Sequence, residues 1–216
     1  MAQIFPRSAN ALARVTLLGA VIGPIGALGV LWLLARSPYV TGQGTPIDQP
    51  IPFSHKHHVG DDGIACEYCH TTVQSSAFAG MPSTETCMNC HAQVWSQSDT
   101  LAPVRLSAEI GQPLIWERVY DLPDYVYFDH SIHVQKGVAC ETCHGRVDEM
   151  PRIMKASSLQ MSWCLDCHRD PTANIRPREA VTTMGWQPPA NADDLHRQLM
   201  AQYHVQSKTD CSTCHR

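Results

Sequence analysis

The sequence has no cysteine to spare. All ten cysteines fall in five Cys-x-x-Cys pairs, so none is left to form a disulfide elsewhere. Charged residues are only 17% and aromatic residues 7% of the chain. The formal net charge of −4 offers no basic surface for nucleic acid; an acidic surface suits a basic partner protein instead. Regularity is also scarce. Fifteen prolines and thirteen glycines in 216 residues argue against a plain helical bundle. Only one apolar run is long, and it lies near the N-terminus.

What is present is one pentapeptide, five times over. The copies are Cys66-Glu-Tyr-Cys69-His70, Cys87-Met-Asn-Cys90-His91, Cys140-Glu-Thr-Cys143-His144, Cys164-Leu-Asp-Cys167-His168 and Cys211-Ser-Thr-Cys214-His215. They are called sites 1 to 5. A lone Cys-x-x-Cys fits a zinc knuckle, a redox dithiol or a disulfide. A histidine directly after every pair fits none of these and reads as covalent attachment of haem c. The two thiols add to the vinyl groups on one porphyrin edge, and the histidine supplies the proximal nitrogen to iron. Five covalently bound haem c groups are therefore expected, with His70, His91, His144, His168 and His215 as proximal ligands.

Setting aside the membrane stretch leaves about 180 residues, or roughly 36 per haem. That is too little protein to give each porphyrin a private core, so the haems must form much of the core themselves. The expected fold is mainly α with much irregular coil and few strands. Short helices should carry the pentapeptides.

Val15 to Ala35 carries no charge and is long enough to span a bilayer as a helix. A signal peptide is the better rival to a membrane anchor, but Leu33-Leu34-Ala35-Arg36 is a poor cleavage site. The expected organisation is a tail over residues 1–14, a transmembrane helix over 15–36, a Pro/Gly linker over 37–52 and a haem domain over 53–216. Arg7 and Arg14 favour a cytoplasmic N-terminus. Haem attachment is completed outside the cytoplasm, so the domain should be periplasmic and the anchor should sit in a bacterial inner membrane. Gly19, Gly23 and Ala27 recur every four residues and suit packing against a partner helix.

The domain repeats internally. Phe53-Ser-His55-Lys-His57-His58 precedes sites 1 and 2; Phe128-Asp-His130-Ser-Ile-His133 precedes sites 3 and 4. The repeats span 53–95 and 128–170. A partial third copy, His204-Val-Gln-Ser-Lys-Thr-Asp before Cys211, opens the segment 204–216. Seven histidines lie outside the pentapeptides, and the repeat selects His55, His58, His130, His133 and His204 as distal iron ligands. His57 and His196 are left as ordinary surface or hydrogen-bonding histidines. Met81, Met150, Met154, Met161, Met184 and Met200 read mostly as apolar filler, with one methionine an alternative to His204 or another of these histidines. Leu114–Tyr120 reads as a short strand or an extended brace across haem faces. Asn191–Gln202 reads as a short helix capped by Asn191. With more candidate ligands than irons, saturated iron favours an electron carrier over a catalyst.

Phe-x-His-x-x-His ahead of a pentapeptide resembles the small class III multihaem cytochromes. That resemblance implies that His55 pairs with His70 and His130 with His144, while His58 and His133 reach other haems. The fuller pattern is similar to the pentahaem cytochrome c subunit of alternative complex III, a bacterial quinol-oxidising respiratory complex. It comprises one N-terminal membrane helix, a Pro/Gly linker, Trp116-x-x-Val119-x-x-Leu122-Pro123, Trp163 ahead of Cys164 and five sites. The resemblance implies electron relay from quinol oxidation towards a cytochrome c or oxidase, other membrane subunits as partners, and no catalysis by this chain alone. Two rivals remain. A tetrahaem-type quinol dehydrogenase has its first site soon after the helix. A multihaem reductase keeps an iron open, and in the nitrite-reducing family a lysine replaces one motif histidine; here all five are histidine.

Overall fold

The computed structural model describes residues 4–6 and 8–216. Arg7, half of the charge argument for orientation, lies outside the described residues. The chain forms two compact units that meet after Gly42.

The N-terminal unit is dominated by α1, Ser8–Arg36, which starts ahead of the uncharged run. It is the one described helix long and apolar enough to cross a membrane. At about 1.5 Å per residue it exceeds the roughly 30 Å of a bilayer's hydrocarbon core. No residue of α1 is buried, and its leucines, valines and isoleucines all face outward. Such a surface is unfavourable in water and ordinary in lipid. Pro24 sits within it. A second helix, α2 (Pro38–Thr41), has proline in its first turn and ends on Gly42 in the left-handed conformation.

The second unit runs from Gln43 to Arg216. Its helices are short: α3 (Cys66–Cys69), α4 (Thr84–His91), α5 (Ala102–Ile110), α6 (His130–Gln135), α7 (Cys140–His144), α8 (Met161–Arg169), α9 (Ala192–Gln202) and α10 (Cys211–Cys214). A π-helix covers Lys56–Asp61. No strand forms among the described residues; pairing is limited to isolated bridges such as Gln43 with Lys155 and Pro46 with Met154. Leu114–Tyr120 is an extended brace, not a strand. Gln49 fixes it by accepting from the Glu117 N–H and donating to the Glu117 carbonyl.

Residues 37–52 do not behave as one segment. The stretch from Gln43 hydrogen-bonds to residues 153–156, and Ile51 is buried. The side-chain core is thin. One cluster joins Ile51, Leu101 and Val104, with Trp116 against it. The other joins Ile175, Leu199 and Tyr203. Met200 packs on the second cluster and Met150 is buried, both as apolar filler. Asn191 stands at the N-cap of α9 but its side chain makes no capping bond; Asp193 and Asp194 occupy the first turn.

Candidate haem-binding site

Each pentapeptide folds as expected for attachment. Sites 1, 3 and 5 are the one-turn helices α3, α7 and α10, and sites 2 and 4 end the longer α4 and α8. One helical turn brings cysteines three apart onto one face. All ten thiols are free.

The histidines are prepared for iron. In seven of them Nδ1 faces a backbone carbonyl, which can only accept, so Nδ1 must donate. His70 donates to Gly80 (2.8 Å), His91 to Val94 (3.0 Å), His168 to Lys208 (3.0 Å) and His215 to Tyr125 (3.1 Å). Outside the pentapeptides, His58 donates to Ser54 (2.9 Å), His130 to Ala77 (2.8 Å) and His133 to Asp129 (2.6 Å). A proton held at Nδ1 leaves the Nε2 lone pair for a metal. Burial keeps key rings neutral. It lowers the pKa of His144 to about 4, with His130, His70 and His55 nearby adding to the shift. His55 is lowered to about 4 by burial, then by His70 and His58.

The rings also stand in pairs. His58 and His91 have centroids 6.1 Å apart, His133 and His168 6.1 Å, and His130 and His144 6.3 Å. Two imidazoles sharing one iron, each Nε2 about 2 Å from it, place their centroids roughly 6 Å apart. The donor set therefore fits the group. His55 lies close enough to His70 for the two rings to interact electrostatically. The fifth site differs. The ring beside His215 is Tyr125, at 5.8 Å, while His204 is exposed, at a φ of 51°, and enters no ring contact. Sequence reasoning selected His204 as the remaining distal ligand, with no haem assigned, because its spacing to Cys211 copies that of His133 to Cys140; in the structure its ring meets no other described ring.

His57 is a surface residue near Asp61 and Asp62. His196 is buried and lines a cavity of about 130 Å³ with Thr142 and Trp186.

Several residues beyond the ligands hold the site. Phe53 stacks on His58 and meets His55 edge-on; Phe128 does the same to His133 and His130. The repeated Phe-x-His was the visible signal for this. Tyr120 packs on His144 at 4.3 Å, donates to the Cys143 carbonyl and accepts from the Ala156 N–H. Arg176 bonds Glu141 inside site 3 and lies over Trp186. Nothing local announces either.

Comparison with known proteins agrees with this chemistry. Residues 126–216 match the family of cytochrome c7 and related cytochrome c. The matched stretch contains sites 3, 4 and 5. The chain is also similar to the menaquinone reductase multiheme cytochrome c subunit of Nitratidesulfovibrio vulgaris, 40% identical over 100 residues. Those residues are 45% of this chain and 46% of that one, so the match spans about half of the relative.

Proposed function

We propose that the chain is a membrane-anchored pentahaem c-type cytochrome that relays electrons within a quinone-linked respiratory complex. The observation that carries this reading is the paired rings at about 6 Å, each with its Nδ1 proton tied up or its ring kept neutral by burial. Each haem supplies an iron that takes up and gives back one electron. At sites 1 to 4 the chain's own histidines would hold the iron from both sides and leave no place for substrate there. His55 pairs with His70, His58 with His91, His130 with His144 and His133 with His168. With both faces held at sites 1 to 4, a carrier is favoured over a reductase with an open iron.

The chain is not suited to oxidise quinol alone. That reaction releases protons at the membrane and needs a protonatable group there. α1 contains no acid or histidine. Asp48, the only acid in residues 37–52, is engaged by Arg152. A partner subunit therefore supplies the quinone site, and electrons leave to a cytochrome c or an oxidase. Arg14, and attachment chemistry completed outside the cytoplasm, support an inner-membrane anchor with a periplasmic haem domain.

The five sites, the anchor and the Trp116 and Trp163 patterns favour the pentahaem subunit of alternative complex III. The identity to a menaquinone reductase subunit favours a complex of that second type. Purification from native membranes in mild detergent separates the two by the subunits that accompany the chain. The expected result is recovery with a quinone-binding partner and five haems per chain by pyridine haemochrome. Recovery as a lone monomer that reduces its haems with quinol at a useful rate refutes the relay reading.

A further inference from the structure

The two repeats do not lie one after the other. They exchange backbone bonds reciprocally. In the first, Lys56 N–H donates to the Met150 carbonyl, which follows site 3 (3.0 Å). In the second, Ser131 N–H donates to the Ser76 carbonyl, which follows site 1 (3.2 Å). Lys56 and Ser131 hold the same position in the repeat, directly after the first histidine of Phe-x-His-x-x-His. Each repeat thus caps the other's first site. His130 N–H and Nδ1 both reach the Ala77 carbonyl across the same junction.

The cysteines agree. The free thiols of Cys66 in site 1 and Cys140 in site 3 lie within hydrogen-bonding reach of each other. Cys69 in site 1 neighbours Cys87 of site 2, and Tyr68 in site 1 accepts from Asn89 in site 2 (3.0 Å). Cys143 in site 3 neighbours Cys167 and Cys164 of site 4. Cys164 neighbours Cys214 of site 5. The strand of coil before site 5 is tied to site 4 by Ser207 donating to the His168 carbonyl (2.8 Å) and by Lys208 accepting from His168 Nδ1. In each repeat the two distal histidines sit three residues apart, one facing its own repeat's first site and the other its second.

We propose that the chain arranges its five haem sites in a single file in the order 2, 1, 3, 4, 5, with a pseudo-two-fold axis between sites 1 and 3. The order departs from that of the sequence because duplication placed the two first sites face to face. This deepens the relay reading and rests on it for its functional meaning. Sites 2 and 5 are the ends, where partner centres exchange with the chain: a donor centre is oxidised by one electron as one end is reduced by one, and the other end returns one electron to an oxidised acceptor. Every electron that traverses the chain crosses the Cys66–Cys140 junction.

Iron positions in the native complex test the file directly. An anomalous-scattering or cryo-electron-microscopy map of the holoprotein should show iron 1 with neighbours 2 and 3, and iron 4 with neighbours 3 and 5. Iron 2 lying between irons 1 and 3, or irons 1 and 3 not being neighbours, overturns the proposal. A second readout uses single ligand changes in the full chain. His58→Met at site 2 should shift the reduction potential of site 1 alone among the others, whereas His130→Met at site 3 should shift sites 1 and 4. An equal shift of sites 1 and 3 by His58→Met overturns the file. The two readings fail separately: irons in this order without reduction by the quinone-linked partner leave the file and remove the relay, and reduction with irons in another order does the reverse.

Discussion

The two repeats reach the same ring geometry by different backbones. Phe53 lies 4.9 Å from His55 at 87° and 4.5 Å from His58 at 23°; Phe128 lies 4.8 Å from His130 at 89° and 4.5 Å from His133 at 26°. His58 meets His91 at 68° and His133 meets His168 at 70°. Yet the first repeat has one more residue between its second histidine and its first cysteine. It absorbs that residue in the π-helix Lys56–Asp61, where the second repeat has the ordinary helix α6. A π-turn is how a helix takes in one residue without changing its ends. The ligands are constrained from both ends, and the path between them is not. Their fixation differs as well: His130 Nδ1 is bonded to Ala77, while His55 Nδ1 is buried without a partner.

The repeats also anchor their first sites differently, and this gives the largest expected effect. Glu67 and Glu141 hold the same place in their pentapeptides. Glu141 is bonded to the buried Arg176 and to Gly185 N–H. Glu67 accepts only from exposed Gln74. Removing one partner of a buried pair strands the other charge, so Arg176→Ala should destabilise the domain by about 3–5 kcal/mol. Gln74→Ala should stay within about 0.5 kcal/mol. Denaturant unfolding of the two holoproteins reads the contrast, and equal losses would break it.

The π-turn comes next. A Cβ on Gly60 would stand 2.3 Å from the Asp148 carbonyl oxygen. Gly60→Ala must push the two repeats apart and should cost about 1–3 kcal/mol by unfolding. An unchanged stability would mean that the junction yields to the added methyl group.

Ligand changes sharpen the comparison spectroscopically. His58→Ala and His133→Ala should each convert one haem of the five to high spin, with the same amplitude. Before substitution, sites 2 and 4 should give one shared, strongly anisotropic low-spin resonance, because crossed imidazole planes leave two iron d orbitals nearly degenerate. Site 3, with planes 16° apart, should give a more rhombic one. Different signals for sites 2 and 4 would deny the symmetry. The smallest effect is expected from His204→Ala, which should leave the low-spin spectrum unchanged, since that ring is exposed and meets no other.

The sequence by itself determined which residues are the candidates to hold the cofactor, because those demands are local. Two thiols and a histidine must lie within one turn, and Phe-x-His-x-x-His places two rings three residues apart on one short helix. It also determined the apolar span of α1 and the scarcity of strands, which follow from composition and proline content. Only the tertiary structure decided how the pieces meet. That Gln43 onward joins the haem domain, that Arg176 reaches Glu141, and that site 1 abuts site 3 are contacts between distant segments, made by carbonyls and thiols that carry no pattern of their own. The same holds for His204. Its spacing copies a ligand's, but a ring's partner is set by where the chain turns, and here it turns outward.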